Sequence, residues 1–190
     1  MKQLIVIVLF WLTWGAQAQE FLTKSGKVVF LSKAPLNEFT GESSLLQGLV
    51  DVEKNLLDFY VDLNTLNTGI SLRDKHMREN YLETEKFPFA EFSGKLDKLP
   101  PLTSNWTEVK ANGKFKIHGI EREITVPGQL RKVGNGNLEL KASFTVLLSD
   151  YKIDIPKLVF YELAEEQQVS LEAILSPKKW EKHFFLSSWW

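Results

Sequence analysis

From Lys27 onward most of the chain alternates apolar and polar residues, the period of half-buried antiparallel strands. Leu57, Phe59, Val61 and Leu63 alternate with Asp58, Tyr60, Asp62 and Asn64. Phe115 and Ile117 alternate with Lys114, Lys116 and His118, and Ile124 and Val126 follow across a hairpin. Leu138, Leu140, Ala142, Phe144, Val146 and Leu148 form a third set, and Val169, Leu171, Ala173 and Leu175 a fourth. Each set offers one face to an apolar interior and one to water. The punctuation between them is turn chemistry: Glu53-Lys54-Asn55, His118-Gly119 and Gly134-Asn135-Gly136-Asn137. Seven or eight strands linked by hairpins, about as predicted by this spacing, make an antiparallel sandwich or a closed barrel. Long runs such as Leu138 to Leu148 favour the barrel, because closure removes exposed edges.

One stretch breaks the alternation. Between Gly69 and Ser93 a charged run, Arg73-Asp74-Lys75-His76-Met77-Arg78, reads as a helical turn before Phe87-Pro88 returns the chain to a strand. Ser71 and Asp74 have capping-box spacing, Asp74 and Arg78 an i, i+4 charge order, and Ile70, Met77 and Tyr81 an apolar stripe. The helix is expected to end near Asn80 to Leu82. A single helix in a strand-strand connection would cover one end or side of the barrel, as a lid or as a plain plug.

Outside the barrel, residues 1–18 read as a signal peptide: Lys2, an apolar run from Leu4 to Trp14, and Ala16-Gln17-Ala18 as a cleavage site. That run is shorter than the roughly 20 residues a spanning helix needs. Residues 19–176 then form one barrel domain, and 177–190 an aromatic tail with Trp180, Phe184, Phe185, Trp189 and Trp190. The expected location is outside the cytoplasm, periplasmic or secreted. A formal net charge of −1 gives no electrostatic reason to bind nucleic acid. With no Cys, an exported chain has no disulfide framework and relies on its core.

The chemistry is informative mainly by what it omits. His76, His118 and His183 lack partners at metal-ligand spacing, and no nucleophile elbow, Walker loop or dinucleotide fingerprint occurs. Neither an enzyme nor a metal or organic cofactor is expected. What remains is apolar volume. An eight-stranded barrel is just wide enough to be filled by side chains or to hold one small ligand. The residues alone leave both open.

Four stretches together resemble the YceI-like family of exported bacterial proteins. They are Phe39-Thr40-Gly41-Glu42; Thr68-Gly69 with Arg73-Asp74, Met77, Phe87-Pro88 and Phe92-Ser93; Gly113 to Ile124; and Phe144 to Val146 followed by Ser149 to Ile153. The resemblance runs from about Lys27 to Ser176. It implies an all-β, extended antiparallel eight-stranded lipocalin-like barrel with a long apolar pocket for an isoprenoid or fatty-chain amphiphile, and no catalysis. Phe87 departs from the family's Tyr before Pro, and His76-Met77-Arg78-Glu79-Asn80 carries more charge than the family's Leu-containing pattern.

On this reading the pocket is lined by Phe59, Val61, Leu63, Met77, Phe92, Phe115, Ile117, Ile124, Val126, Phe144, Val146 and Leu171. Arg73, Lys75 and His76 stand by its mouth to meet an anionic head group. The expected partner is a lipid or isoprenoid-type ligand, with no nucleic acid and no membrane-spanning segment after signal removal; a homodimer stays open. The alternative is a non-binding structural or interaction barrel that acts through its surface or its Trp-rich tail.

Overall fold

The computed structural model describes residues 20–155 and 163–178. The signal peptide expected over residues 1–18 and the tail from residue 179 onward lie outside the described residues. Eight antiparallel strands close into one barrel in chain order: β1 (Glu20–Ala34), β2 (Asn37–Asp51), β3 (Leu56–Asp62), β4 (Phe89–Leu96), β5 (Thr107–Ile117), β6 (Ile120–Val133), β7 (Asn137–Leu147) and β8 (Glu166–Pro177). Pairing of β8 with β1, from Phe21↔Pro177 to Ser32↔Gln167, completes the closure. The turn residues do what their chemistry suggests. Asn55, His118 and Gly119 all take positive φ, and Ile117↔Ile120 leaves a two-residue loop of the kind that matches strand twist.

The connections sort to two ends. One end carries the β2–β3 turn, the β4–β5 loop, the β6–β7 turn and the chain ends of the barrel. There Val50, Leu130, Leu138 and Leu175 are buried to 1% exposure or less and form a floor. Lys178 seals its rim, with its amide donating to the Glu20 carbonyl at 2.7 Å and its ammonium pairing with the Glu20 carboxylate at 2.6 Å. The other end carries the β1–β2 and β5–β6 hairpins, the long β7–β8 connection and the helical β3–β4 connection.

That last connection is a lid. It runs through a 3-10 turn at Leu63–Thr65, helix α1 (Ser71–His76) and a π-helical turn at Met77–Tyr81. Strand β3 pairs with β2 only from Gln47↔Tyr60 to Asp51↔Leu56, so the upper half of β2 outruns it. The lid fills this seam: Asn67 and Glu42 exchange two backbone hydrogen bonds of 2.9 Å, and the Ser43 and Thr65 hydroxyls meet at 2.6 Å.

Three details of the helix differ from expectation. Ser71 is its first residue rather than its cap; Ile70 holds the cap position, without a side-chain bond. Asp74 is buried, and its carboxylate accepts from the Thr68 amide at 2.8 Å and the Thr68 hydroxyl at 2.6 Å instead of turning to Arg78. A short acid four residues before a half-buried Arg gains more from two donors in the loop below than from a charge pair along the helix. Ile70 is 49% exposed and leaves the apolar stripe to Met77 and Tyr81.

Candidate ligand-binding site

Inside the barrel, between floor and lid, lies an apolar cavity of about 210 Å³. Its wall includes residues from all eight strands. Along β5 it extends from Val109 to Ile117, about 27 Å of strand. A strand tilt of about 40° makes that roughly 20 Å along the barrel axis.

The lumen stays open because its large rings lie against the wall. Phe30 faces Gly41 across the β1–β2 ladder, and Phe59 faces Gly48 across β2–β3. A Cβ built on Gly48 would sit 2.1 Å from the Phe59 ring. Phe92, on the same strand as Gly94 and paired with Phe115, instead reaches diagonally over the paired Gly94 and Gly113, 3.0 Å from either added Cβ. A ring opposite a side chain would have to rotate into the lumen; opposite hydrogen it settles on the backbone. Phe115 stacks edge-on with Phe144 at 5.3 Å and with Tyr151 at 5.5 Å. Burial, with Asp150 adding to it, raises the Tyr151 phenol pKa, so this ring stays neutral.

Most of the apolar positions named from the sequence come together here. Phe59, Val61 and Leu63 from β3 and its end, Met77 from the lid, and Phe92 from β4 all line the cavity. So do Phe115, Ile117 and Val126 from the β5–β6 pair, and Phe144, Val146 and Leu171 from β7 and β8. Ile124 does not. It is half-buried and packs against the core but not on the wall, where it stands opposite Gly113, over which the Phe92 ring lies.

The three cations separate. Arg73 reaches the cavity, with its guanidinium 4.2 Å over the Phe39 ring. Lys75 and His76 are exposed; Lys75, two residues on from Arg73, projects from the opposite side of the helix.

Two ties hold the lid from opposite sides. Near its start the Asn67–Glu42 backbone pair fastens it to β2, and the Thr68–Asp74 bonds fold α1 back on that start. At its far end Glu83 meets His118 at 3.2 Å, whose other ring nitrogen lies 3.0 Å from the Tyr151 carbonyl. Lys86 and His118 together hold the Glu83 carboxyl below its ordinary value of 4.5. Phe87 lies edge-on to His118 at 4.9 Å and covers Gly119, so this residue serves the hairpin rather than the lumen.

Sequence reasoning missed Phe30, Phe39, Leu46 and Gln167, all on the wall. The first three sit on strands whose alternation is broken by bulges between Thr23 and Val28. Gln167 shares the inward parity of Val169 and Leu171, and that parity was its only signal.

Among the described residues no cluster of three or more His, Asp or Glu is placed to hold a metal ion, and no helix is long and apolar enough to cross a membrane. The fold is thus a closed, lipocalin-like antiparallel barrel with a lidded apolar lumen. The profile of the YceI-like domain matches residues 20–175, and the chain belongs to that family. Solved structures agree on the fold. A polyisoprenoid binding domain from Saccharophagus degradans, implicated in plant cell wall breakdown, superposes with a TM-score of 0.71 at 16% identity, over 84% of this chain and 98% of that one. BcnA from Burkholderia cenocepacia gives 0.67 at 15% identity, over 80% and 96%. The Campylobacter jejuni YceI protein gives 0.59 at 17%, over 78% and 88%. No curated protein matches the chain in sequence.

Proposed function

We propose that this protein is an exported carrier, periplasmic or secreted, that holds one long apolar amphiphile of the isoprenoid or fatty-chain type inside the barrel. The observation that carries this reading is the lumen itself: Phe rings laid over Gly41, Gly48 and Gly113 keep open a space that the same rings would otherwise fill. The polyisoprenoid binding of the Saccharophagus relative supports the isoprenoid class. The mechanism is burial. Each CH₂ taken out of water contributes about 0.8 kcal/mol. A chain running the roughly 20 Å of the lumen therefore reaches tight binding after the cost of ordering it is subtracted. Arg73 at the helical end is the cation placed to meet a polar head, and Lys75 and His76 remain exposed as contacts for the surroundings of the mouth.

Native mass spectrometry of the mature chain, purified from its own compartment and then extracted with organic solvent, tests the reading. The expected result is an adduct of one defined lipid mass that extraction removes. A clean apo mass, with no uptake of added prenyl or fatty-chain lipids, would overturn it. The same spectra count the chains per particle and so report whether the carrier is a homodimer.

A further inference from the structure

We infer that Gln167 is the head-group receptor of this lumen, accepting a hydrogen bond from a ligand end that carries an O–H or N–H, as in a long-chain alcohol or primary amide. The inference rests on the carrier reading above and narrows its ligand class.

Gln167 is 7% exposed and forms part of the cavity wall. Its amide oxygen Oε1 is buried and has no hydrogen-bond partner in the protein, the only such side-chain atom among the described residues. The orientation of the amide is fixed by its neighbours. Nε2 donates to the Ala164 carbonyl at 2.6 Å and to Ser32 Oγ at 3.2 Å. A carbonyl can only accept, so nitrogen faces Ala164 and oxygen is turned away. Ser32, fully buried, also accepts from the Ala164 amide at 3.2 Å, which locks the three groups together. A buried acceptor left unpaired carries its full desolvation penalty, and a donor brought in by a ligand relieves it.

The position suits a head group. Ser32 on β1 pairs with Gln167 on one side and with Phe39 on the other. Phe39 is the ring beneath Arg73. Two strand spacings place the Gln167 and Phe39 backbones about 10 Å apart on one row at the helical end. A ligand with its polar end on this row sends its chain down the lumen toward Leu130. An aprotic end, such as an ether or a fully ionised carboxylate, offers Oε1 no proton and meets its negative end of the dipole.

The test is a comparison of two probes with the same chain on the delipidated mature protein: geranylgeraniol and its methyl ether. The alcohol is expected to bind about tenfold or more tightly, the factor that one hydrogen bond to an otherwise unpaired buried acceptor supplies. In Gln167→Met, which keeps the volume and removes the acceptor, that preference should fall to within about twofold while the ether binds as before. Equal binding of alcohol and ether by the unaltered protein would overturn the inference and leave the carrier reading standing; this arm needs no variant to fold. A preference that survives in folded Gln167→Met would overturn it too. Failure of both probes to bind would remove the carrier reading and this inference with it.

Discussion

The two ends of the barrel are built from the same apolar alphabet and reach opposite results. At the floor, Val50, Leu130, Leu138 and Leu175 project from β2, β6, β7 and β8 and leave almost no accessible surface. Nearer the lid, Phe30 and Phe92 remain only partly buried, and what they leave exposed faces the lumen. The difference lies in what stands opposite. Branched aliphatic side chains facing one another interdigitate to crystal-like density. Flat rings facing glycine lie along the wall and leave the axis free. One end gives the molecule its stability and the other its vacancy.

Substitution at the floor should have the largest effect. Leu138→Ala removes a floor side chain that is buried and does not border the cavity, and should lower the free energy of unfolding by about 2–5 kcal/mol in a denaturant titration. Leu171→Ala, on a residue that already borders the cavity, should lose only about 1 kcal/mol, because less of its surface leaves water on folding. Equal losses at the two sites would erase the distinction.

Next in size is Gly48→Ala. The new methyl collides with the Phe59 ring, which must swing into the lumen. Overpacking of this kind costs about 1–3 kcal/mol. It should also weaken chain binding, so calorimetry with a fatty or prenyl probe separates ring displacement from a merely destabilised barrel. Gly134→Ala, where an added Cβ meets nothing within 4 Å, serves as the control.

At the lid, Asp74→Asn keeps an acceptor for Thr68 but loses its charge, a change of about 1 kcal/mol. Hydrogen exchange should quicken at Thr68 and along α1, with little change in the floor strands. Acceleration spread evenly over the barrel would mean that the lid is not a separate unit.

The smallest effect concerns pH at the β2–β3 turn. Backbone and side-chain hydrogen bonds from Lys54 hold the Asp51 carboxyl below its ordinary value of 3.8. A carboxylate with a depressed folded value contributes stability that is present above the unfolded value and is lost as pH falls through the folded one. Asp51→Asn should therefore flatten the acid limb of stability below about pH 4 and leave the neutral plateau in shape. An unchanged acid limb would assign the loss to other carboxylates, Glu83 first among them.

Most of this architecture is written in the alternation. Leu57-Phe59-Val61 and Phe144-Val146 declare their inward faces because each run is unbroken and each turn carries Asn or Gly. The bulged β1 was harder to read, since a shift between Gly26 and Val28 resets which residues face inward. The helix start was misjudged for a local reason: capping-box spacing at Ser71 and Asp74 says nothing about Thr68, which folds back within reach only after Gly69 takes a φ of +78°. Whether the lumen is hollow could not be decided from side-chain volumes alone. It depends on register, on which glycine faces which ring, and register becomes visible only when the strands are paired. The same holds for Gln167, whose oxygen is conspicuous only because its amide nitrogen is already occupied.

The central claim is that a ligand fills the ring-lined lumen and leaves the tightly packed Leu138 and Leu175 beneath it untouched. Methyl-resolved NMR of the delipidated mature protein, titrated with a single long-chain alcohol, tests it most directly. The predicted result is saturable shifts at the methyls of Val61, Val126, Val146 and Leu171, with those of Leu138 and Leu175 nearly still. Saturation that moved only surface methyls, or none, would contradict the account.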